Sequence, residues 1–138
     1  MNVLVDTPIW SLALRRKGSD PNPREQFLAQ ALAELIRAGQ AQLAGVVRQE
    51  LLSGIREEER FRKLRDYLRA FEEPALEAAD YEEAANCHNR CRARGIAGSP
   101  IDFLICAIAK RRNWQVFTTD RDFERYSRNI GVKLFAEK

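Results

Sequence analysis

The chain is poor in the residues on which several common chemistries depend: its 138 residues include one histidine, three cysteines and one methionine. A single histidine on a charged stretch supports no serine–histidine–acid triad. An odd number of cysteines makes no disulfide framework, so a reducing, cytoplasmic setting is expected. Zinc is short of ligands as well. Cys87, His88 and Cys91 form the string CHNRC, but Cys106 is the one remaining cysteine, and a structural zinc wants four ligands. Cys106 falls within an apolar run and is expected in the core. No GxxxxGK loop is present to cradle phosphates. No apolar stretch reaches the roughly 18 residues of a membrane helix, and the opening MNVLVD lacks the basic-then-apolar pattern of a secretion signal. Nor is the charge lopsided: a net +3 permits nucleic acid as a partner without demanding it.

What is present is the composition of an ordinary globular protein, with 45% hydrophobic and 31% charged residues. The length suits one domain over residues 1–138, large enough to bury a core. Most of the basic residues are arginine, whose planar fork suits phosphate. Many alternate with glutamate on helical stretches, which marks a solvated face. The runs Arg15–Lys17, Arg90–Arg94 and Lys110–Arg112 each read as surface; together, near an acidic cleft, they would offset repulsion of a polyanion.

Along the chain, short β-branched runs alternate with helical periodicity. Asn2–Val5 reads as a buried parallel strand ending at Asp6. Thr7 and Pro8 read as cap and first residue of a helix to about Arg16. Lys17–Pro23 is a loop. A helix from Arg24 to Ala38 carries Phe27, Leu28, Ala31, Leu32, Leu35 and Ile36 at helical spacing and stops at Gly39. Ala41–Ala44 is a candidate strand. Helices follow over Val46–Ile55 and Glu58–Phe71, then one capped by Asp80 and running to about Arg94. Ser99 and Pro100 open a very apolar helix to Arg112. Gln115–Thr118 is a strand, Asp120–Arg128 a helix or turn, and Val132–Phe135 a last short strand. This alternation argues for an α/β fold with a largely parallel sheet.

Four carboxylates stand out against the pattern, and each also has a plain structural explanation. Asp6 ends a buried strand, where ligands gather in open parallel sheets, but a helix N-terminus also favours an acid there. Glu50 falls on or beside the apolar face made by Val46, Val47, Leu51 and Ile55; a boundary glutamate with its head in water explains it equally. Asp102 is the one charged residue in IDFLICAIA. Burying it unpaired would be costly, so it must meet a partner or a cavity, unless it serves as a first-turn acid reaching back to Ser99. Asp120 ends the second clear strand, or forms an ordinary turn; Asp122 is either part of the same cluster or a first-turn acid. Taken together, right-handed crossovers bring these ends to one edge of the sheet. Clustered carboxylates need a cation among them, and an all-oxygen set suits Mg²⁺ or Mn²⁺, which would activate water for phosphodiester cleavage.

Four strings, VLVDTPIW, RQELLSG, PIDFLICAIA and VFTTDRDF, in this order over essentially the whole chain, resemble the PIN-domain nucleases, and more narrowly the VapC toxins of bacterial and archaeal toxin–antitoxin pairs. The resemblance implies a three-layer α/β/α fold around a mostly parallel sheet of four to five short strands. It makes Asp6, Glu50, Asp102 and Asp120 an acidic quartet for Mg²⁺ or Mn²⁺, Asp122 a secondary ligand, Thr118 the hydroxyl residue that fixes the cluster, and Thr7 the small hydroxyl residue after the first acid. It implies RNA as substrate, tRNA among the frequent targets, cut by in-line attack of activated water to leave a 5′-phosphate and a 3′-hydroxyl. A homodimer is implied, as is a VapB-type antitoxin whose C-terminal segment lies among the N-terminal helices. Trp10, Leu14, Phe27, Leu51 and Leu52 are candidates to line that groove, unless they are core. The competing expectation is a non-catalytic PIN-like domain that binds RNA or a protein. An aspartyl-nucleophile phosphatase is disfavoured because Pro8 stands where a second acid is required.

Overall fold

A computed structural model describes residues 1–14 and 22–136. Its sheet begins with β1, Val3–Val5, three residues short and buried throughout. The strand stops at Asp6 because the next residue starts a helix, α1, Thr7–Ala13. The cap is Asp6, one residue earlier than the sequence pattern places it. Its side chain accepts from the Thr7 backbone N–H, and Pro8 occupies the first turn, where its missing N–H costs nothing. The expected continuation to Arg16, the loop from Lys17 and the basic run Arg15–Lys17 fall on or run into the segment outside the described residues.

Helix α2, Pro23–Arg37, starts in a reciprocal capping box between Asn22 and Glu25 and buries Leu28, Leu32 and Leu35. Strand β2 is only Ala41–Gln42. Next come α3, Gly45–Leu52, and α4, Glu58–Leu68, both ending about three residues before the apolar pattern does. Gly54, at φ +88°, reverses the chain between them, in a conformation that side chains resist. Helix α5, Ala78–Ala93, is followed by α6, Pro100–Arg112, in which Phe103 to Ala109 are all buried. Strand β3, Gln115–Phe117, helix α7, Asp122–Ile130, and strand β4, Lys133–Leu134, complete the fold.

The four strands are parallel and lie in the order β2-β1-β3-β4. Val3 registers against Ala41 on one side and Gln115 on the other, and Val116 against Leu134. The chain thus moves outward from β1 in one direction and later returns to build the other side. Right-handed crossovers then carry α1 and α2 to one face and α6 and α7 to the opposite one. Burial of all three β1 residues agrees with a sheet covered on both faces. The layered α/β fold with four short strands is as expected from the sequence.

One polar node was not foreseen. Asp80 does not cap α5; Glu77 holds that position, and Asp80 lies a turn inside, fully buried. Its carboxylate accepts from Arg111 Nη1 at 2.8 Å and Arg112 Nη1 at 2.7 Å, and from the Glu77 backbone N–H at 2.9 Å. Arg112 also donates to Ala75 O, at 3.1 Å, and Lys110 lies 3.8 Å from Glu83. The run Lys110–Arg112, expected as free surface, is therefore occupied in holding α6 to α5. Cys87 and Cys91 on α5 and Cys106 on α6 are buried in the core these helices share.

Two outcomes follow. The Arg112 guanidinium holds the Asp80 carboxyl far below the usual carboxylate range. A lowered native pKa stabilises the fold above the unfolded value of 3.8, and that contribution drains away as pH falls below it. Asp80→Asn should cost about 3 kcal/mol at neutral pH, the lower end for breaking a buried pair because both arginines reach solvent; urea denaturation from pH 7 to pH 3 should show the gap from wild type narrowing in acid. Burial also pushes all three thiols up, so a colorimetric thiol reagent should react with them only after unfolding.

Candidate metal centre

The carboxyl ends of β1 and β3 meet where the strand order reverses, the place at which open α/β sheets offer a crevice. The Asp6 backbone N–H donates to Phe117 O at 2.9 Å, joining these ends. Asp6 keeps only 8% of its surface. One oxygen accepts from the Thr7 N–H at 2.9 Å and the other from Thr118 Oγ1 at 2.8 Å. Thr118 Oγ1 in turn accepts from the Asp120 N–H at 3.0 Å, so one hydroxyl fixes both acids. Asp120 Oδ1 accepts from the Asp122 N–H at 2.9 Å, which turns the chain into α7. Asp122 is held by Arg125 Nη2 at 2.6 Å.

Asp102 arrives from the first turn of α6. Ser99 Oγ accepts from its N–H at 3.1 Å, as a helix cap should. The carboxylate accepts from the Tyr126 hydroxyl at 3.0 Å. One carboxylate oxygen from each of Asp102, Asp120 and Asp122 lies within 4.8 Å of the other two, and among the described residues no other group of three possible ligands does so. Asp122, secondary in the family pattern, thus belongs to the tightest cluster. Asp6 and Glu50 fall outside that trio. Glu50 is exposed on α3, yet near enough to act on Asp6 electrostatically.

Crowding shows in the protonation equilibria. Burial pushes the Asp6 carboxyl above its ordinary range; the bonds from Thr118 and Thr7 oppose this, and the charges of Asp102 and Glu50 add to it. Burial likewise pushes Asp102 up, against the Tyr126 hydrogen bond, and Asp120 raises it further. Burial and the neighbouring Asp102 push the Tyr126 phenol far up, so the proton stays on the phenol and Tyr126 is the donor. The donor set is all oxygen and net negative, as a hard divalent cation requires. Thr7 Oγ1, next to Asp6, is buried without a hydrogen-bond partner among the described residues. A buried hydroxyl left so is costly, and a hydrated ion nearby would satisfy it. The residues present fit Mg²⁺ or Mn²⁺.

Tyr126 was missed in the sequence. A signal existed: it follows Asp122 by four residues and lies with Phe123 and Ile130 on the buried stripe of α7, and a buried phenol needs an acceptor. The expected groove residues divide. Trp10 is core, its indole N–H donating to Val5 O at 3.1 Å and its ring 4.8 Å from Phe71. Leu14 and Leu51 line a cavity of about 470 Å³ with Leu64 and Tyr67 of α4. Phe27 lines a different one, with Leu35 and Phe135, and Leu52 packs half-buried against the core.

Comparison with known proteins bears on the fold and the family. No curated protein matches the chain. Among solved structures, FitAcB from Neisseria gonorrhoeae contains a chain that superposes with a TM-score of 0.74 at 20% identity, covering 98% of this chain and 97% of that one. VapBC2 from Rickettsia felis, bound to a DNA fragment from its promoter, matches with a TM-score of 0.74 at 18% identity, covering 98% of each chain. DNA-bound VapBC from Salmonella typhimurium matches with a TM-score of 0.74 at 14% identity, over 98% of this chain and 97% of that one. The model of the PIN domain matches residues 3–129. With that match spanning all of the acids described here, the chain belongs to the PIN-domain family.

Proposed function

We propose that the chain is a VapC-type toxin, an endoribonuclease dependent on a divalent metal and restrained by an antitoxin protein. The observation that carries the proposal is the meeting of Asp102, Asp120 and Asp122 at the sheet's switch point, with Asp6 tied to them through Thr118. Asp102, Asp120 and Asp122 would hold Mg²⁺, or Mn²⁺, with Asp6 and Glu50 completing the acidic surround. When bound, the ion supplies Lewis acidity, making water a better nucleophile and offsetting charge that develops on the phosphate. Thr118 and the Thr7 N–H keep Asp6 facing the centre, and Ser99 sets the helix start from which Asp102 projects. Exposed Arg121, between Asp120 and Asp122 in the chain, suits the phosphates of a polyanion.

RNA, including tRNA, is the substrate class, hydrolysed in line to leave a 5′-phosphate and a 3′-hydroxyl. The toxin–antitoxin character of the similar structures supports a VapB-type partner, and the apolar cavity at Leu14 and Leu51 suits a segment of such a protein. The toxin would act as a homodimer.

Incubation of the purified chain with a panel of RNAs should give cleavage in Mg²⁺ or Mn²⁺ that excess EDTA abolishes. Asp102→Asn should lower the rate by on the order of 100-fold or more, the scale of the several kcal/mol a metal contributes. Equal cutting in EDTA would end the proposal, while RNA binding without turnover in any metal would favour the non-catalytic alternative. Leu51→Asp should release the nuclease from inhibition by its partner without slowing cleavage, as read by adding the partner to the assay.

A further inference from the structure

Tyr126 lies outside the residues proposed to hold a cation, yet its ring is fully buried and its hydroxyl ends on Asp102 Oδ2 at 3.0 Å. The surroundings are shaped to this bond. Phe103 of α6 and Phe123 of α7 bracket the ring, with centroids 5.0 Å and 5.1 Å away. His88 of α5 stacks on Phe103 in turn, 4.7 Å between centroids. Gly98, just before the Ser99 cap, leaves the space: a Cβ there would lie 2.5 Å from the Tyr126 hydroxyl and 2.7 Å from the Phe103 ring. Its φ is not in the left-handed region, so glycine is needed here for room rather than for backbone freedom. The helix that opens with Asp122 therefore also presents, one turn later, the hydroxyl that holds Asp102.

We propose that Tyr126 is a positioning residue for the acidic centre, its hydroxyl fixing the Asp102 carboxylate in the orientation that shares a divalent cation with Asp120 and Asp122. The inference rests on the metal-dependent reading above. A carboxylate already held by a hydrogen bond surrenders less rotational freedom when it takes an ion, and such outer partners are worth 10–100-fold in metal affinity. Packing alone predicts something different, because phenylalanine keeps the ring and loses only the oxygen.

Calorimetric titration of Mn²⁺ without RNA distinguishes these, applied to wild type, Tyr126→Phe and Phe103→Leu, with thermal unfolding of each metal-free protein. Tyr126→Phe should melt close to wild type, bind Mn²⁺ at least about 10-fold more weakly, and lose kcat with little change in the RNA KM. Phe103→Leu keeps the hydroxyl while disturbing its packing, and should melt lower with Mn²⁺ affinity unchanged. Equal Mn²⁺ affinity in wild type and Tyr126→Phe overturns the role of Tyr126 and leaves the metal-dependent reading intact. Equal losses in both variants assign the effect to packing and overturn it as well. No Mn²⁺ uptake by wild type removes the metal-dependent reading and this inference together.

Discussion

Carboxylates placed close together repel, and in water they would simply turn apart. Here the turning is prevented by hydrogen bonds that begin where β1 meets β3. Thr118 donates to Asp6 and accepts from the Asp120 backbone, so its hydroxyl has one permitted orientation and the two acids have one relative placement. Without parallel pairing of β1 and β3, Thr118 would not face Asp6 at all. Ser99 and Tyr126 perform the equivalent task for Asp102 from the other side of the crevice. Burial raises the Asp6 and Asp102 carboxyls, and the remaining repulsion among the acids adds to it; the native state tolerates both because the rest of the core is well satisfied.

The contrast with Asp80 shows how environment separates an acid supplied with cations from one left without them. Asp80 is covered from solvent, yet two guanidiniums and a backbone N–H converge on it, and its proton affinity falls. Asp6 is buried and Asp102 partly so; neither has a cationic partner among the described residues and both face other acids, so theirs rises. A carboxylate supplied with its own cations is finished as a structural element. One surrounded by further carboxylates is poised for something positive from solution.

This difference also explains what could be read from the sequence. Asp6 and Asp102 were legible because each interrupts an apolar pattern at a point where burial is otherwise complete, and Asp120 because it repeats the strand-end position of Asp6. The parallel sheet followed from alternating strand and helix periods, and the helix start at Pro100 from Ser99; Asn22 and Pro23, read as loop, are instead the cap and first residue of α2. The pairing of Asp80 with Arg111 and Arg112 was not legible, since an acid at a helix start reads as a cap and a basic run at a helix end reads as surface until the two helices are placed together. Tyr126 was hidden for the same reason: the acceptor of its hydroxyl comes from a separate helix. The position of Asp122 in the tight trio depends on the turn made by Asp120 Oδ1, a local bond that spacing alone does not reveal.

The acids are drawn from β1, the start of α6, the end of β3 and the start of α7, so no fragment ending before α7 contains the whole centre. A ribosome making this polypeptide would release the last contributors to the cluster, Asp120 and Asp122, only after nearly all of the core. That order of assembly leaves the acidic centre incomplete until α7 joins the fold.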